Sequence, residues 1–295
     1  MNNIRQARSE DAERIAEIVV FNYRLNFYPV FRDDNFYFEE LRISNQMLRY
    51  AKDLDNIWVY DDGGDRWGAG AKARELAPEY GITYRTPLAP LCKAGHYGAF
   101  IGEKYADFRE FANLLRNHRE NGADFIKIMI SGLMDFDRFG VLTEEGYGAD
   151  EIRELIHIVH EEGMTVMAHA NGARTVEAAA MAGVDSVDHG AYLDEDALAA
   201  MKENGTIWCP TLSTVGNLRG TGRFDECAVR KILDSARENV AKFADMGGIL
   251  APGTDAGAWA VPHGSLTEYE LLEEILGDRT EEVLSRGIQA VKERF

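Results

Sequence analysis

Short apolar runs alternate with amphipathic helical stretches from residue 63 to the end of the chain. The apolar runs predict buried strands, and the stretches between them predict helices that bury one face. Strands that alternate with helices are typical of βα units, in which neighbouring strands run parallel. The pattern therefore predicts an α/β fold, either a (β/α)8 barrel or a doubly wound sheet.

The predicted strands cover residues 81–91, 124–130, 164–171, 184–190, 206–212 and 248–254. The predicted helices cover residues 66–79, 106–121, 149–162, 172–182, 194–204 and 224–246, and two more helices reach the last residue, Phe295. Two stretches, 94–100 and 131–148, are predicted to be loops. In a parallel barrel the carboxyl ends of the strands meet on one face, where the active site of such a fold lies.

Residues 1–62 follow a different pattern. Helices are predicted after Ser9 and over residues 38–52, and a strand is predicted at 57–60, before a turn at 61–64. The many aromatic side chains of this segment are best explained by packing in a core or an interface. We therefore expect a short α/β segment, residues 1–62, followed by the main domain, residues 63–295.

Composition narrows the class of protein. The chain of 295 residues has 32 basic and 50 acidic side chains and a net charge of −18, which disfavours nucleic acids and anionic membranes as partners. The net charge says nothing about the substrate, which we expect to be a small molecule. The cysteines, Cys92, Cys209 and Cys227, are widely spaced and odd in number, which suits a reducing compartment. Because neither a signal peptide nor an apolar run of about 18 residues is present, we expect a cytoplasmic location.

Four polar side chains stand at or near predicted strand ends. Lys127 lies in an otherwise apolar strand, where an unpaired ammonium would be costly. His169 and His189 end two successive strands, and Asp255 follows the last one. Imidazole nitrogen and carboxylate oxygen suit a divalent metal, zinc above all, and a carboxylated lysine would add an oxygen ligand. Such a metal lowers the pKa of bound water toward ~7, and the aspartate can accept the proton.

Each of these residues also has a plain structural interpretation. A strand lysine is commonly ion-paired, and a lone histidine is commonly a satisfied core or surface group. A Gly-Thr-Asp-Ala-Gly turn is often only a helix cap. Their shared placement at successive strand ends favours a metal site over these separate explanations.

The segments around these residues, 122–128, 166–172, 183–190 and 253–257, resemble the amidohydrolase superfamily, in particular its imidazolonepropionase-like and Xaa-Pro-dipeptidase-like branch. The resemblance implies a TIM-barrel hydrolase that uses a divalent metal to cleave C–N bonds of amides, cyclic amides or peptides. By this resemblance Lys127 is the carboxylated bridging ligand. His169 and His189 bind the more exposed metal, and Asp255 is both ligand and proton shuttle.

The resemblance also implies residues that face the substrate. The same branch carries a Gly-His-x-Gly loop after its third strand, here residues 95–98, so His96 is expected to contact substrate. Tyr192 and His263 lie just past two later strand ends and could line the pocket. His157 and His160 lie on a predicted helix and are expected at the surface.

One departure from the superfamily bears on activity. Its first strand ends in His-x-His, which holds the buried metal, whereas the first histidine of this sequence is His96. We therefore expect a barrel that is incomplete at its first strand, with seven of eight strands at most. Exposed strand edges would favour association into a homo-oligomer. Three protein ligands could still hold one metal, but binding and activity should be weakened.

The first residues carry a second resemblance. Residues 4–15 resemble the opening of a GCN5-related N-acetyltransferase, which suggests a chimera joined near residues 61–65. That family binds acetyl-coenzyme A at an Arg/Gln-x-x-Gly-x-Gly/Ala loop. The nearest candidate, residues 65–70, has Asp65 at the position of the basic or amide residue.

Three functions follow, and they belong to different classes. The favoured function is metal-dependent hydrolysis of C–N bonds. The alternative is a catalytically inactive or partner-dependent barrel. A protein related to N-acetyltransferases is the third, and the sequence lacks the coenzyme loop that this function requires.

Overall fold

The structure is a computed structural model, and it describes residues 69–80, 83–257, 260–262 and 265–295. The predictions for residues 1–62 and for His263 lie outside the described residues.

A parallel sheet of seven strands forms the centre of the described chain. Its spatial order is β2-β1-β3-β4-β5-β6-β7, and every neighbouring pair is parallel. The strands are β1 (Leu91–Lys93), β2 (Glu103–Tyr105), β3 (Ile126–Met129), β4 (Val166–Ala170), β5 (Ser186–His189), β6 (Ile207–Cys209) and β7 (Ile249–Leu250). Within the described residues β2 and β7 do not pair, so the fold is the predicted TIM-barrel-like α/β fold with an open sheet.

Helices follow most strands and cover the outside of the sheet. They are α1 (Ala69–Leu76), α2 (Phe108–Glu120), α3 (Ala149–Glu161), α4 (Ala173–Met181), α5 (Glu195–Glu203), α6 (Ser213–Gly216), α7 (Glu226–Asp245), α8 (Thr267–Leu276) and α9 (Thr280–Arg294). Two 3-10 helices cover Ala77–Tyr80 and Gly277–Arg279. Among the described residues, no helix combines the length and the apolar character that a membrane span requires.

Two parts of the predicted element order are wrong. The predicted strand 81–91 is reduced to Leu91–Lys93, because Pro87 and Pro90 lack the backbone N–H that a strand donates and Leu88 has a φ of 69°. The short strand β2 and the one-turn helix α6 were not predicted, since three or four residues carry too little periodicity to detect.

The sheet has one polar face and one apolar face. The register aligns Met129, His169, Asp188 and Cys209 in one row across four strands. Side chains alternate along each strand, so the neighbouring row points to the opposite face. That row, Ile128, Ala168, Val187 and Trp208, is fully buried against the helices. The chemistry-bearing side chains of the row that includes His169 therefore point into the barrel interior, away from the main apolar core.

The C-terminal helix α9 covers the amino-terminal ends of the strands. An Arg294 Nη1–H donates to the carbonyl oxygens of Asp185 (3.2 Å) and Gly205 (2.8 Å), which precede β5 and β6. Phe295 packs edge-on against Phe125, with ring centroids 5.2 Å apart. Gly287 lies so close to β7 that an added Cβ would overlap the carbonyl group of Leu250.

Replacing Gly287 with alanine is expected to lower the free energy of unfolding by about 1–3 kcal/mol. Alanine would gain up to about 1 kcal/mol of helix propensity over glycine, but the overlap with backbone atoms of β7 outweighs that gain. Denaturant unfolding measures the change, with the exposed Ser285→Ala in the same helix as the control. Equal stability of the two variants would show that α9 is not packed tightly on β7.

Candidate functional site

His169 and His189 meet at the carboxyl ends of β4 and β5. Their ring centroids lie 4.6 Å apart with the planes at 67°. Strand alternation alone would turn His189 toward the helices, but its φ of 69° ends the strand and redirects the side chain toward His169. The predicted pairing of these two histidines is thus present in the structure.

Lys127 forms a buried ion pair with Asp188 below the two histidines. Both side chains are at least 94% buried, and Lys127 Nζ donates to Asp188 Oδ2. The apolar strand around Lys127 predicts the cost of a buried ammonium, but Asp188 was not predicted as its partner. Asp188 lies on the same face of β5 as Ser186, and it pairs in register with His169. Its position in the strand was the available signal for this partner.

Backbone and side-chain hydrogen bonds orient both imidazoles. His169 Nε2–H donates to the Gly132 carbonyl oxygen at 3.2 Å, which leaves Nδ1 as the unprotonated nitrogen of the neutral ring. His189 Nδ1 lies 2.6 Å from Thr211 Oγ1, and the indole N–H of Trp208 donates to the His189 carbonyl oxygen at 3.0 Å.

Asn171 ties the loop after β3 to the loop after β5. Its side-chain N–H donates to the Gly132 carbonyl oxygen at 3.0 Å, and its backbone N–H donates to Ser131 Oγ at 2.8 Å. Its side-chain oxygen accepts the Ala191 N–H at 3.0 Å. The residue is fully buried, so these bonds fix the backbone on either side of the two histidines.

Burial and nearby charge disfavour the thiolate form of Cys209 and the imidazolium form of His189. Loss of solvation lowers the pKa of His189 to about 3, and the positive charge of Lys127 adds to this effect, so the ring is neutral at neutral pH. Burial raises the pKa of the Cys209 thiol well above its usual value, and the negative charge of Asp188 raises it further. Cys209 is therefore held as a thiol, which is a weak nucleophile and a weak metal ligand.

The remaining predicted residues that the structure describes lie on loops that follow β1, β5 and β7. His96 lies on the loop after β1, and the next residue, Tyr97, stacks on His169 with ring centroids 4.8 Å apart. Tyr192 lies on the loop after β5, where its ring meets Phe139 edge-on at 5.5 Å. Asp255 follows β7 with a φ of 51°, and its negative charge contributes to the raised pKa of Cys209.

Backbone strain is concentrated at this edge of the sheet. His189, Tyr192, Thr211 and Asp255 are non-glycine residues with positive φ, and all four follow or end strands β5, β6 or β7. Such conformations cost on the order of 1–3 kcal/mol each and are retained where the surrounding structure requires a particular side-chain direction.

Glu268 is a buried carboxyl group that the sequence analysis did not identify. It lies in the first turn of α8 with no exposed surface, and its Oε2 accepts the Ser213 N–H at 2.7 Å. In the described part of the chain its Oε1 has no hydrogen-bond partner. Burial raises its pKa to about 7, above the value of 4.5 for an ordinary glutamate, although the bond from Ser213 opposes the rise. No hydrophobic pattern signals this residue, because an acid in the first turn of a helix usually faces solvent.

The donor chemistry at this edge suits a divalent metal only in part. Two imidazoles in contact are favourable ligands for zinc when both are neutral. However, no three histidine, cysteine or acidic side chains within the described ranges are arranged to hold an ion together. A complete ligand set would need a further oxygen from Asp255 or from a carboxylated Lys127 released from Asp188.

The sequence of the chain is similar to a known protein family and to curated proteins. The sequence profile described as Amidohydrolase family matches residues 96–293. Ochratoxinase of Aspergillus niger is 25% identical over 224 residues, which cover 68% of this chain and 43% of the relative. An uncharacterized protein of Mycobacterium tuberculosis is 30% identical over 125 residues, which cover 40% of this chain and 34% of that protein. The chain thus spans less than half the length of these curated relatives.

A solved structure shows the same fold. A Xaa-Pro dipeptidase with bound methionine in the active site superposes with a TM-score of 0.62 at 21% identity. The superposition covers 80% of this chain and 63% of that chain. It confirms the barrel-like architecture.

Replacing Lys127 with methionine is expected to lower the free energy of unfolding by about 3–5 kcal/mol, because Asp188 would keep its charge without the buried ammonium. The double variant, Lys127→Met with Asp188→Leu, removes both charges and should recover most of the loss. Denaturant unfolding of both variants measures the difference. The control is Lys104→Met, which removes an exposed lysine from β2, and an equal loss in that variant would contradict the buried ion pair.

The contribution of Glu268 to stability is expected to fall as the pH rises from 4.5 to about 7. In that window the unfolded chain releases the Glu268 proton, whereas the folded protein retains it. The stabilising contribution is thus complete below the unfolded pKa and lost as the pH rises through the folded pKa. Its size is on the order of 3 kcal/mol.

Unfolding free energies of the wild type and Glu268→Gln between pH 4 and pH 8 isolate this contribution. The difference between the two proteins should change across the window, whereas the exposed Glu270→Gln should follow the wild type at every pH. A difference that is constant with pH would show that Glu268 titrates normally.

Proposed function

The chain belongs to the amidohydrolase family, and from that premise we propose that it is a metal-dependent hydrolase of C–N bonds in amides, cyclic amides or peptide-like small molecules. The observation that carries the proposal is the contact of His169 and His189, at the carboxyl ends of neighbouring strands and above the buried Lys127–Asp188 pair. Carboxyl strand ends are where the catalytic residues of such barrels lie.

The proposed ligands follow from the donors present. His169 and His189 would hold a divalent ion, zinc in this proposal, with oxygen ligands from Asp255 and from Lys127 after carboxylation. A bound ion supplies Lewis acidity, which polarises a carbonyl and lowers the pKa of water. Asp255 would accept a proton from that water and deliver it to the leaving nitrogen.

Other residues would bind and orient the substrate. His96 and Tyr97 lie on one loop, and the stacking of Tyr97 on His169 brings this loop to the edge of the site. Tyr192 lies on the loop after β5, where the positive φ at this residue sets the direction of its side chain. We assign His96 and Tyr192 to the substrate pocket, and His263 to the same pocket on the basis of sequence.

Activity is proposed to be weakened relative to a complete amidohydrolase. The sequence contains no His-x-His, so two ligands of a paired metal site are lacking.

We further propose that residues 1–62 are a separate segment, similar to part of an N-acetyltransferase, and that the protein acts in the cytoplasm. The competing function is that of a catalytically inactive or partner-dependent barrel protein.

Metal content and hydrolysis test the proposal together. The purified protein is incubated with Zn²⁺, Mn²⁺ or Co²⁺, desalted and analysed by mass spectrometry for bound metal. It is then assayed against Xaa-Pro dipeptides, N-acyl amino acids and cyclic imides. We expect one ion per chain, removable by a chelator, and slow hydrolysis that returns when the metal is restored.

Variants connect that result to the site. His169→Ala should lower metal affinity by at least about tenfold and abolish hydrolysis, since it removes a proposed ligand. His157→Ala is the matched control, because His157 is an exposed histidine on α3. Failure to retain metal or to hydrolyse any substrate, at every metal concentration, would favour the non-catalytic barrel.

A further inference from the structure

Glu144 joins two loops beside the candidate site. The loop after β1 carries His96 and Tyr97, and the loop between β3 and α3 carries Glu144. One oxygen of this carboxylate contacts His96 Nδ1, and the other accepts the backbone N–H of Tyr97 at 2.8 Å. Both oxygens of a single side chain are thus used by two consecutive residues of the opposite loop.

Glu144 is itself fixed to the backbone beside His169. Its carbonyl oxygen accepts the Gly132 N–H at 3.1 Å, and the preceding N–H, of Thr143, donates to the Leu133 carbonyl oxygen at 2.8 Å. A side chain at Gly132 would collide with the backbone of Glu144, so the two segments of this loop approach closely. The Gly132 carbonyl oxygen in turn accepts the N–H of His169.

This arrangement determines which nitrogen of His96 carries its proton. An ionised carboxylate only accepts hydrogen bonds, so His96 Nδ1 carries the hydrogen when it contacts Glu144. In the neutral ring Nε2 is then the acceptor. The ring also packs edge-on against Tyr147, with centroids 5.2 Å apart, which restricts its rotation.

We propose that Glu144 is a positioning residue that holds His96 as the Nδ1–H tautomer and so presents Nε2 as an acceptor to the substrate. The chemical class that fits this acceptor carries an N–H or O–H donor next to the scissile bond, as a secondary amide does. The role of His96 toward substrate rests on the proposed hydrolase function, whereas its tautomer is set by the folded chain alone.

Nitrogen-15 NMR of the protein labelled in its histidines tests the proposal without metal or substrate. Comparison with His96→Asn assigns the His96 signals. In the wild type, at a pH where the ring is neutral, we expect a protonated Nδ1 and an unprotonated Nε2. Glu144→Ala should lose this preference, and hydrogen exchange at the Tyr97 amide should accelerate on the order of tenfold.

Two further variants separate this role from a general loss of structure. Glu145→Ala removes the exposed neighbouring carboxylate and should leave both signals unchanged. Glu144→Gln keeps the size of the side chain, but its amide NH2 group cannot accept, so at least one of the two signals should change. Chemical shifts of distant amides report whether each variant is folded.

Specific results would overturn the proposal. These are an Nε2–H tautomer in the wild type, an unchanged tautomer in folded Glu144→Ala, or no change of either signal in folded Glu144→Gln. A correct tautomer in a protein that hydrolyses nothing would reject the hydrolase function and leave the role of Glu144 intact. An Nε2–H tautomer in an active hydrolase would reject the role of Glu144 and leave the hydrolase function intact.

Discussion

The ion pair between Lys127 and Asp188 sets the electrostatics of the barrel interior. Two charges removed from water are tolerated only when each compensates the other, so the position of one side chain constrains the other. Asp188 shares its row with His169 and Cys209, and the lysine charge lowers the pKa of His189. A pair of opposite charges therefore lies beneath the two histidines, and a ligand bound above the pair is exposed to its electric field.

The described contacts that orient His169 and His189 come from neighbouring parts of the barrel. His169 is oriented by the loop after β3, and His189 is oriented by Thr211 and Trp208 on or just after β6. These contacts lie between residues 126 and 211, in strands that pair with one another. Helix α9 closes the opposite end of the same strands through Arg294. The geometry of His169 and His189 is thus built by contacts within this part of the barrel, whereas the described residues do not form a full set of metal ligands.

Sequence reasoning was most successful where a pattern extends over many residues. The helices α2 to α5 and α7 and the strands β3 to β6 were predicted within a few residues, because burial of one helix face or of a whole strand imposes an extended apolar pattern. Lys127, His169 and His189 were found because a polar residue interrupts such a run. Asp188, Glu144 and Glu268 were not found, because their importance lies in contacts across 48 or more residues of sequence, which no local pattern records.

The residues missed by pattern share a physical role, which is to fix other groups. Asp188 compensates Lys127, Glu268 connects α8 to the backbone at Ser213, and Glu144 connects two loops beside His169. Each carboxylate accepts at least one charge-assisted or backbone hydrogen bond, and such bonds are stronger than those between neutral groups. The net charge of −18 destabilises the folded chain, because its excess carboxylates repel one another. Asp188, Glu268 and Glu144 instead form specific contacts. These contacts fix a lysine, a helix and a histidine at or near the edge where the candidate site lies.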